Sequence, residues 1–480
     1  MTKRGIKVTR KTNLWTAREA MQATDGKTSG AWVASGVSID SRTVEEGDLF
    51  IAIEGPQADG HDYVSHALQN GAVAAVVHKI PDGFSADDPR LLVVTDTMDA
   101  MEDLGQAARY RMGGKVVAVT GSVGKTSTKA MLAEAFKANG RMHCSVGSYN
   151  NHWGVPLTLS RMHDASDYGI FEIGMNHSGE IVPLTKQVRP DIAIITTVEA
   201  VHIEHFDSVQ AIADAKAEIF EGVQTGGTVV LNRDNEWFSH LKRKAENLGL
   251  QVKSFGKHAE ADARLVDVLV ASNGTRVQAD IDGETVSFMM PVIGEHHAMN
   301  AMAVLMAVTL SGASLAKAVD GLTTMEAVEG RGKRELLQNI GGADNPVTVL
   351  DESYNASPAS MRAAFKVLAM IDPGRGGRRI AILGDMLELG KEAAKAHKDL
   401  ALPLQAAGVQ LVYTCGTLMK NLYDSIPKEQ QGAHATTSQE LAQIVPDVLV
   451  PGDVVMVKGS NGSKMGSVIE AMRALPSVSA

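Results

Sequence analysis

The sequence predicts an α/β protein of three domains with mainly parallel sheets. Three observations carry that expectation. The chain has 480 residues, room for three domains of about 150 residues each. Short β-branched runs alternate with alanine-rich stretches of helical character, the pattern of strands joined by crossover helices. Several apolar runs end in a glycine-bearing loop, the place where a parallel sheet presents backbone to a ligand.

The first domain is expected over residues 1–112. Val37-Ser38-Ile39-Asp40-Ser41-Arg42 leads into a strand within Gly47-Asp48-Leu49-Phe50-Ile51-Ala52-Ile53. Asp59-Gly60-His61-Asp62 is a turn, and Ala72-Val73-Ala74-Ala75-Val76-Val77 is a second buried strand. Tyr110-Arg111-Met112-Gly113-Gly114 reads as a linker. The second domain, 113–329, opens with a strand at 115–120, continues with strands at 168–173 and 192–196, and holds a helix at 297–310. The third, 330–480, starts at Gly330-Arg331-Gly332 and carries strands at 347–350, 379–383, 411–414 and 454–457.

Composition narrows the function. Lys and Arg number 46 against 56 Asp and Glu, a formal charge of −10. A general nucleic-acid binder needs phosphate-neutralising cations in excess, so no nucleic-acid partner is expected. The two cysteines, Cys144 and Cys415, form neither a CxxC pair nor a disulfide framework, which fits a reducing compartment. Residues 1–5 reach no apolar run of the secretory type. The apolar stretch near 298–310 contains Asn300 and falls short of the ~20 residues that span a bilayer. A soluble cytoplasmic protein without membrane insertion is expected, and nothing demands more than a monomer.

The chemistry starts at Val116-Val117-Ala118-Val119-Thr120, an apolar strand. Gly121-Ser122-Val123-Gly124-Lys125-Thr126 follows, then a helical stretch from Ser127. Strand, glycine loop and helix form the setting of a phosphate-binding loop. Its glycines let backbone N–H groups close on phosphate oxygens, and the helix N-terminus adds partial positive charge. Lys125 can reach the outer phosphates, and the Thr126 hydroxyl can ligate Mg²⁺. The longer GxxxxGK[ST] pattern would place glycine at Val119, so this is a shortened version. No NKxD-like base-reading motif accompanies it, which favours ATP over GTP. Glu172, in Phe171-Glu172-Ile173-Gly174, stands at a strand end where a carboxylate can meet Mg²⁺. His202 follows another strand in Glu199-Ala200-Val201-His202; it is either a metal or phosphate contact or a structural histidine, the commoner case. Lys216, in Asp214-Ala215-Lys216-Ala217-Glu218-Ile219, reads on its own as a helix-surface lysine.

Five motifs in order give a resemblance that covers nearly the whole chain. They are Thr120-Gly121-Ser122-Val123-Gly124-Lys125-Thr126, Asn150-Asn151-His152-Trp153-Gly154-Val155-Pro156, Glu172-Ile173-Gly174-Met175-Asn176, Gly294-Glu295-His296-His297-Ala298-Met299-Asn300, and Leu350-Asp351-Glu352-Ser353-Tyr354-Asn355-Ala356-Ser357-Pro358. Together they resemble the Mur ligase family. Asp351 to Met361, with Ile382-Leu383-Gly384-Asp385-Met386-Leu387-Glu388-Leu389-Gly390, is similar to the branch that adds a dipeptide rather than a single amino acid.

The resemblance implies a UDP-substrate domain, a central ATPase domain and a C-terminal Rossmann-like domain that receives the dipeptide. It implies ATP-dependent joining of D-alanyl-D-alanine to UDP-N-acetylmuramoyl-tripeptide through an acyl phosphate, in peptidoglycan precursor synthesis. It also implies residue roles. Residues Gly121 to Ser127 would hold ATP, with Lys125 on the outer phosphates. Thr126, Glu172, His202 and a carbamylated Lys216 would face Mg²⁺. Asn300 would contact adenine, Arg331 an ATP phosphate and Asp351 the ribose. Ser41 and Asn151 would lie on the UDP-substrate side, and Asn355, Ala356 and Ser357 near the dipeptide. Glu352, Ser357 and His297 depart from the family pattern, which usually has Asp, Asn and Asn there. The rival readings are a sister ligase that adds one amino acid, a P-loop ATPase without ligase activity, and a non-catalytic nucleotide-sugar binder, against which the set Lys125, Thr126, Glu172, His202 and Lys216 argues.

Overall fold

The computed structural model describes residues 13–201 and 203–476. Three sheets of four, nine and six strands follow one another along the chain, preceded by a two-stranded ribbon pairing Trp15–Thr16 with Val33–Ala34.

The four-stranded sheet is parallel throughout, in the order Gly36–Ser38, Asp48–Ile51, Ala74–Val77, Leu91–Val93. All four residues of Asp48–Ile51 and of Ala74–Val77 are buried, as continuous apolar runs should be when both faces are covered. The helix Thr97–Arg111 covers one face with Ala100, Met101, Leu104 and Ala108. This helix corrects the expected linker at its first two residues. Asp96 caps it by accepting from the N–H groups of Met98 and Asp99, and the helix runs through Tyr110 to Arg111. Arg109 then reaches across, donating to the carbonyls of Val188 and Arg189 at 2.8 Å each.

The nine-stranded sheet is parallel at its centre and antiparallel at one end. Lys115–Thr120 lies between Tyr168–Glu172 and Ile192–Ile195, parallel to both. In this register Ile195 pairs with Thr120 and Glu172 with Val119, so all three strands end at one edge. Loops that follow the C-terminal ends of parallel strands are where such sheets bind ligands. Ala263–Ala271, Gly274–Ile281 and Glu284–Met290 add a meander that the sequence reading did not anticipate. The helix Glu295–Leu310 is buried along most of its length and packs on the helix Lys125–Lys137 inside the largest core.

The six-stranded sheet starts with one antiparallel strand, Lys333–Leu337, beside Val347–Glu352. The remaining five are parallel, with Val454–Lys458 inserted between Val347–Glu352 and Arg379–Gly384. The last strand in sequence therefore sits in the middle of the sheet, and its end meets loops from both neighbours. No helix among the described residues is long and apolar enough to cross a membrane.

Candidate active site

Gly121 and Gly124 hold φ of +147° and +87°, a region that side chains rarely adopt. A Cβ at Gly121 would fall 1.9 Å from Thr196 Oγ1, and one at Gly124 would fall 3.1 Å from the Asn300 amide. Gly121 is therefore pressed against Thr196 with no room for a side chain, and Gly124 packs closely on the Asn300 amide. The next strand's exit holds the loop from behind. Ser122 N–H donates to the Thr197 carbonyl at 2.9 Å, Ser122 Oγ to the Glu199 carbonyl at 3.0 Å, and Thr196 Oγ1 to the Val123 carbonyl at 2.6 Å. The helix Lys125–Lys137 begins directly after Gly124 with no side chain capping its first turn. Its leading N–H groups are thus available to an anion.

Lys125 folds back, its ammonium donating to the Gly121 carbonyl at 2.7 Å. Burial pushes it below the usual lysine range; Glu172 opposes that shift and Arg331 adds to it. Glu172 is 1% exposed. Its Oε1 accepts from Thr126 Oγ1 at 3.0 Å and Asn150 Nδ2 at 2.8 Å. Its Oε2 is buried without a hydrogen bond, with the Lys129 ammonium 3.7 Å away. Lys129 also donates to the carbonyls of Ser145 and Gly147, tying down the loop that delivers Asn150.

Lys216 is not the surface lysine that its sequence setting alone implies. Its helix, Val209–Ala217, is wedged into the core through Ile212, Ala213, Ala215 and Ala217, and Lys216 itself is 2% exposed. Burial first, and the Lys125 charge second, hold its amine well below the usual lysine range.

The opposite wall comes from the six-stranded sheet. The Arg331 guanidinium lies over the Tyr354 ring, 4.2 Å from its centre. Asp351 braces the turn behind it, accepting from Gly330 N–H at 2.9 Å and from Ser353 N–H and Oγ at 3.1 and 2.6 Å. Ser357 caps the helix Pro358–Ala369 in a reciprocal pair with Ser360. Burial raises the Glu199 carboxyl, and Arg362 of that helix opposes the rise.

Both walls enclose one cavity of about 820 Å³. Of the expected site residues, Ser122 to Ser127, Glu172, Asn300, Arg331, Asn355, Ala356 and Ser357 line it. Gly121 and Asp351 shape it from behind that lining, through Thr196 and Gly330, and Lys216 lies outside the lining but close enough to Lys125 to feel its charge. Asn151 turns away: its Oδ1 accepts from the N–H groups of Trp153 and Gly154 at 3.3 and 3.0 Å and starts the helix Gly154–Ser160. Its neighbour Asn150 enters the cavity instead. Ser41 is buried, and its carbonyl accepts from the Asn70 amide at 2.9 Å. His202 lies outside the described residues. Sequence reasoning missed Asn150, Lys129, His296 and Lys458. Asn150 and His296 stood inside motifs already singled out. Lys129, one turn beyond Thr126 on the same helix face, was detectable from helical spacing.

Among the described residues no cluster of three or more His, Cys, Asp or Glu side chains is arranged to hold a metal. Mg²⁺ asks less of a protein, because it keeps waters and takes one or two protein oxygens beside substrate phosphates. The Thr126 hydroxyl and the Glu172 carboxylate, one of whose oxygens lacks a hydrogen bond, meet that requirement.

Comparison with known proteins decides the family. Three family models match successive stretches: the Mur ligase family catalytic domain at 33–109, the Mur ligase middle domain at 119–308, and the Mur ligase glutamate ligase domain at 337–461. A UDP-N-acetylmuramoyl-tripeptide–D-alanyl-D-alanine ligase from Rickettsia prowazekii is 31% identical over 458 residues, covering 95% of this chain and 99% of the relative. The chain belongs to the Mur ligase family. The ligase of the same name from Escherichia coli is 33% identical, covering 94% of this chain and 96% of its own. Among solved Mur ligases, MurF from Acinetobacter baumannii superposes with a TM-score of 0.82 at 27% identity, covering 96% of this chain and 98% of that one. A MurF ligase from Thermotoga maritima, solved with ADP, shares the fold with a TM-score of 0.75 at 24% identity.

Proposed function

We propose that this Mur ligase joins D-alanyl-D-alanine to UDP-N-acetylmuramoyl-tripeptide, with ATP as co-substrate, giving UDP-N-acetylmuramoyl-pentapeptide, ADP and phosphate. The carrying observation is the single cavity in which the phosphate loop and Glu172 face the 352–357 segment of another sheet. Full-length similarity to ligases of that name supports the same reading. We place the domain boundaries near residues 112 and 329, between the successive sheets.

The reaction follows from the site's charges. A carboxylate is a poor acyl donor because oxide would have to leave. Transfer of the γ-phosphoryl group to the tripeptide's terminal carboxylate gives an acyl phosphate, and phosphate then leaves when the dipeptide amine attacks. Backbone N–H groups from Val123 to Ser127 and the Lys125 ammonium would hold the phosphates in line, while the Ser122 N–H stays on the Thr197 carbonyl. Mg²⁺, held by Thr126 and Glu172 with His202, would offset the charge on the transferred group. We assign Asn300, behind Gly124, to the adenine, Arg331 to a phosphate and Asp351, from behind the lining, to the ribose. Ser41 and Asn151 belong to the UDP-substrate side, and Asn355, Ala356 and Ser357 to the dipeptide.

Lys216 fits carbamylation on physical grounds. Only an uncharged amine attacks CO₂; the nitrogen adds to carbon, one proton is lost, and an anionic carbamate results. Holding the group below the usual lysine range, by burial first and the Lys125 charge second, raises the share of that uncharged amine. The carbamate would then face Mg²⁺, which an ammonium could not.

The deciding test is phosphate release from Mg-ATP and UDP-N-acetylmuramoyl-tripeptide, with and without D-alanyl-D-alanine, with the product's mass measured. Dependence on the dipeptide and a pentapeptide product are expected. Phosphate release indifferent to both co-substrates would overturn the ligase reading in favour of a plain ATPase.

A further inference from the structure

The central strand Val454–Lys458 runs into Lys458-Gly459-Ser460, a turn with no part in the steps above. Lys458 is 3% exposed, yet it lines the main cavity. It sits in register with Glu352 on the neighbouring parallel strand. Its ammonium lies 3.3 Å from Glu352 Oε2 and donates to the Asn355 carbonyl at 2.8 Å. Two residues on, the Ser460 hydroxyl donates to the Ala356 carbonyl at 3.4 Å and accepts from Leu387 N–H at 3.0 Å. Gly459 lets the turn lie flat: a Cβ there would fall 2.6 Å from Met465 Cγ and 3.0 Å from the Gly384 Cα. One short turn therefore grips consecutive carbonyls of the 355–356 segment from beneath. Ala356 is also packed into the core and Ser357 caps the next helix, but the Asn355 side chain bonds only the N–H of the next residue, so the carbonyl grip from Lys458 is what fixes the backbone at Asn355.

We propose that Lys458 is a positioning residue for the amine substrate, fixing the Asn355–Ala356 backbone at the height at which the incoming dipeptide is held. The proposal rests on the reading that residues 355–357 receive D-alanyl-D-alanine. A lysine suits the task because its compact charge reaches a carboxylate and a carbonyl at once. Attack on an acyl phosphate demands that the amine be placed to within about an ångström, so a loosened segment costs rate as well as affinity.

The test compares Lys458→Met, Lys458→Arg and Asn355→Ala in the full-length enzyme, by steady-state kinetics for each substrate and by calorimetric ADP binding. For Lys458→Met the expected result is a rise of about 10-fold or more in KM for D-alanyl-D-alanine with a lower kcat. KM for ATP and for the UDP-tripeptide, and ADP affinity, should stay within about twofold, and Lys458→Arg should recover part of the loss. An equal rise in all three KM values, or an unchanged dipeptide KM, overturns the proposal. If Lys458→Met does not fold, Glu352→Gln replaces it; it keeps the shape and removes one charge of the pair, and the same selective rise is expected. Asn355→Ala separates the premises. If it leaves the dipeptide KM unchanged, the subsite reading falls; if it raises that KM and Lys458→Met does not, only the role of Lys458 falls.

Discussion

Lys125 and Lys216 are two neighbouring amines, each lowered first by burial; a cation adds to each shift, Arg331 for Lys125 and Lys125 for Lys216, while Glu172 opposes it at Lys125. Replacing Lys125 by Ala should cut turnover by about 10³-fold or more, since it removes a charge aimed at the transferred phosphoryl group. UDP-substrate binding, measured by calorimetry, should persist. Omitting CO₂ should lower activity and bicarbonate should restore it; labelled bicarbonate would report a carbamate on Lys216 by carbon NMR, and a silent spectrum in the active enzyme would rule that group out. His143 offers a separate acid-stability test. Burial lowers it to about 4, with the nearby Arg161 charge adding to the shift and its bond to the Thr158 carbonyl at 2.7 Å opposing it. Between its ordinary value of about 6.5 and that value, the unfolded chain takes up a proton that the folded chain refuses, so stability falls as pH falls. The loss approaches about 3 kcal/mol once pH drops below both values. His143→Gln keeps a donor for the carbonyl and cannot titrate, so its stability, followed by urea unfolding, should decline less steeply across that window. Legibility at this scale was uneven. Lys125, Thr126 and Glu172 announced themselves through local order, strand then loop then helix. Lys216 did not, because a lysine between alanines looks the same whether its helix faces water or core.

The elements were easier to read where burial is two-sided. Lys115–Thr120 and the other central parallel strands are unbroken apolar runs, and their observed ends fall within two residues of those expected. The meander from Ala263 to Met290 was missed because one of its faces meets water, so its apolar residues are interrupted by charges such as Asp267, Arg276 and Glu284. Two predictions belong here. Gly121→Ala should weaken ADP binding by about 10-fold or more, because the added methyl displaces the whole loop from Thr196. Met302→Ala, in the middle of the buried helix Glu295–Leu310, should cost about 2–5 kcal/mol of stability in denaturant unfolding, through the void that it leaves.

For the whole molecule, sequence reading captured the succession of three α/β units, because each glycine-ended strand cluster is local in the chain. It could not capture how the units attach to one another. The four-stranded sheet is fastened firmly to the nine-stranded one. Helices Thr97–Arg111 and Gly154–Ser160 pack together, and Leu157 shares a core with Leu104 and Trp15. Trp15 Nε1 donates to the Ser160 carbonyl at 2.8 Å and Arg161 Nε to the Val37 carbonyl at 2.6 Å. The six-stranded sheet touches its neighbour more lightly, through contacts such as Arg334 Nη1 to the Ser272 carbonyl at 2.8 Å and Gly390 against Glu204. Small-angle scattering should therefore show compaction when an ATP analogue and the UDP substrate are added together, closing the cavity and excluding water from the acyl phosphate; an unchanged radius of gyration would remove that idea. The shared core of Trp15, Leu104 and Leu157 has a pharmacological corollary. With two of the three sheets packed into one body, the closure expected above would turn on the junction with the third. A small molecule that contacts Asn300 on one side and Tyr354 on the other would act as a wedge, blocking turnover by jamming that junction without imitating either substrate.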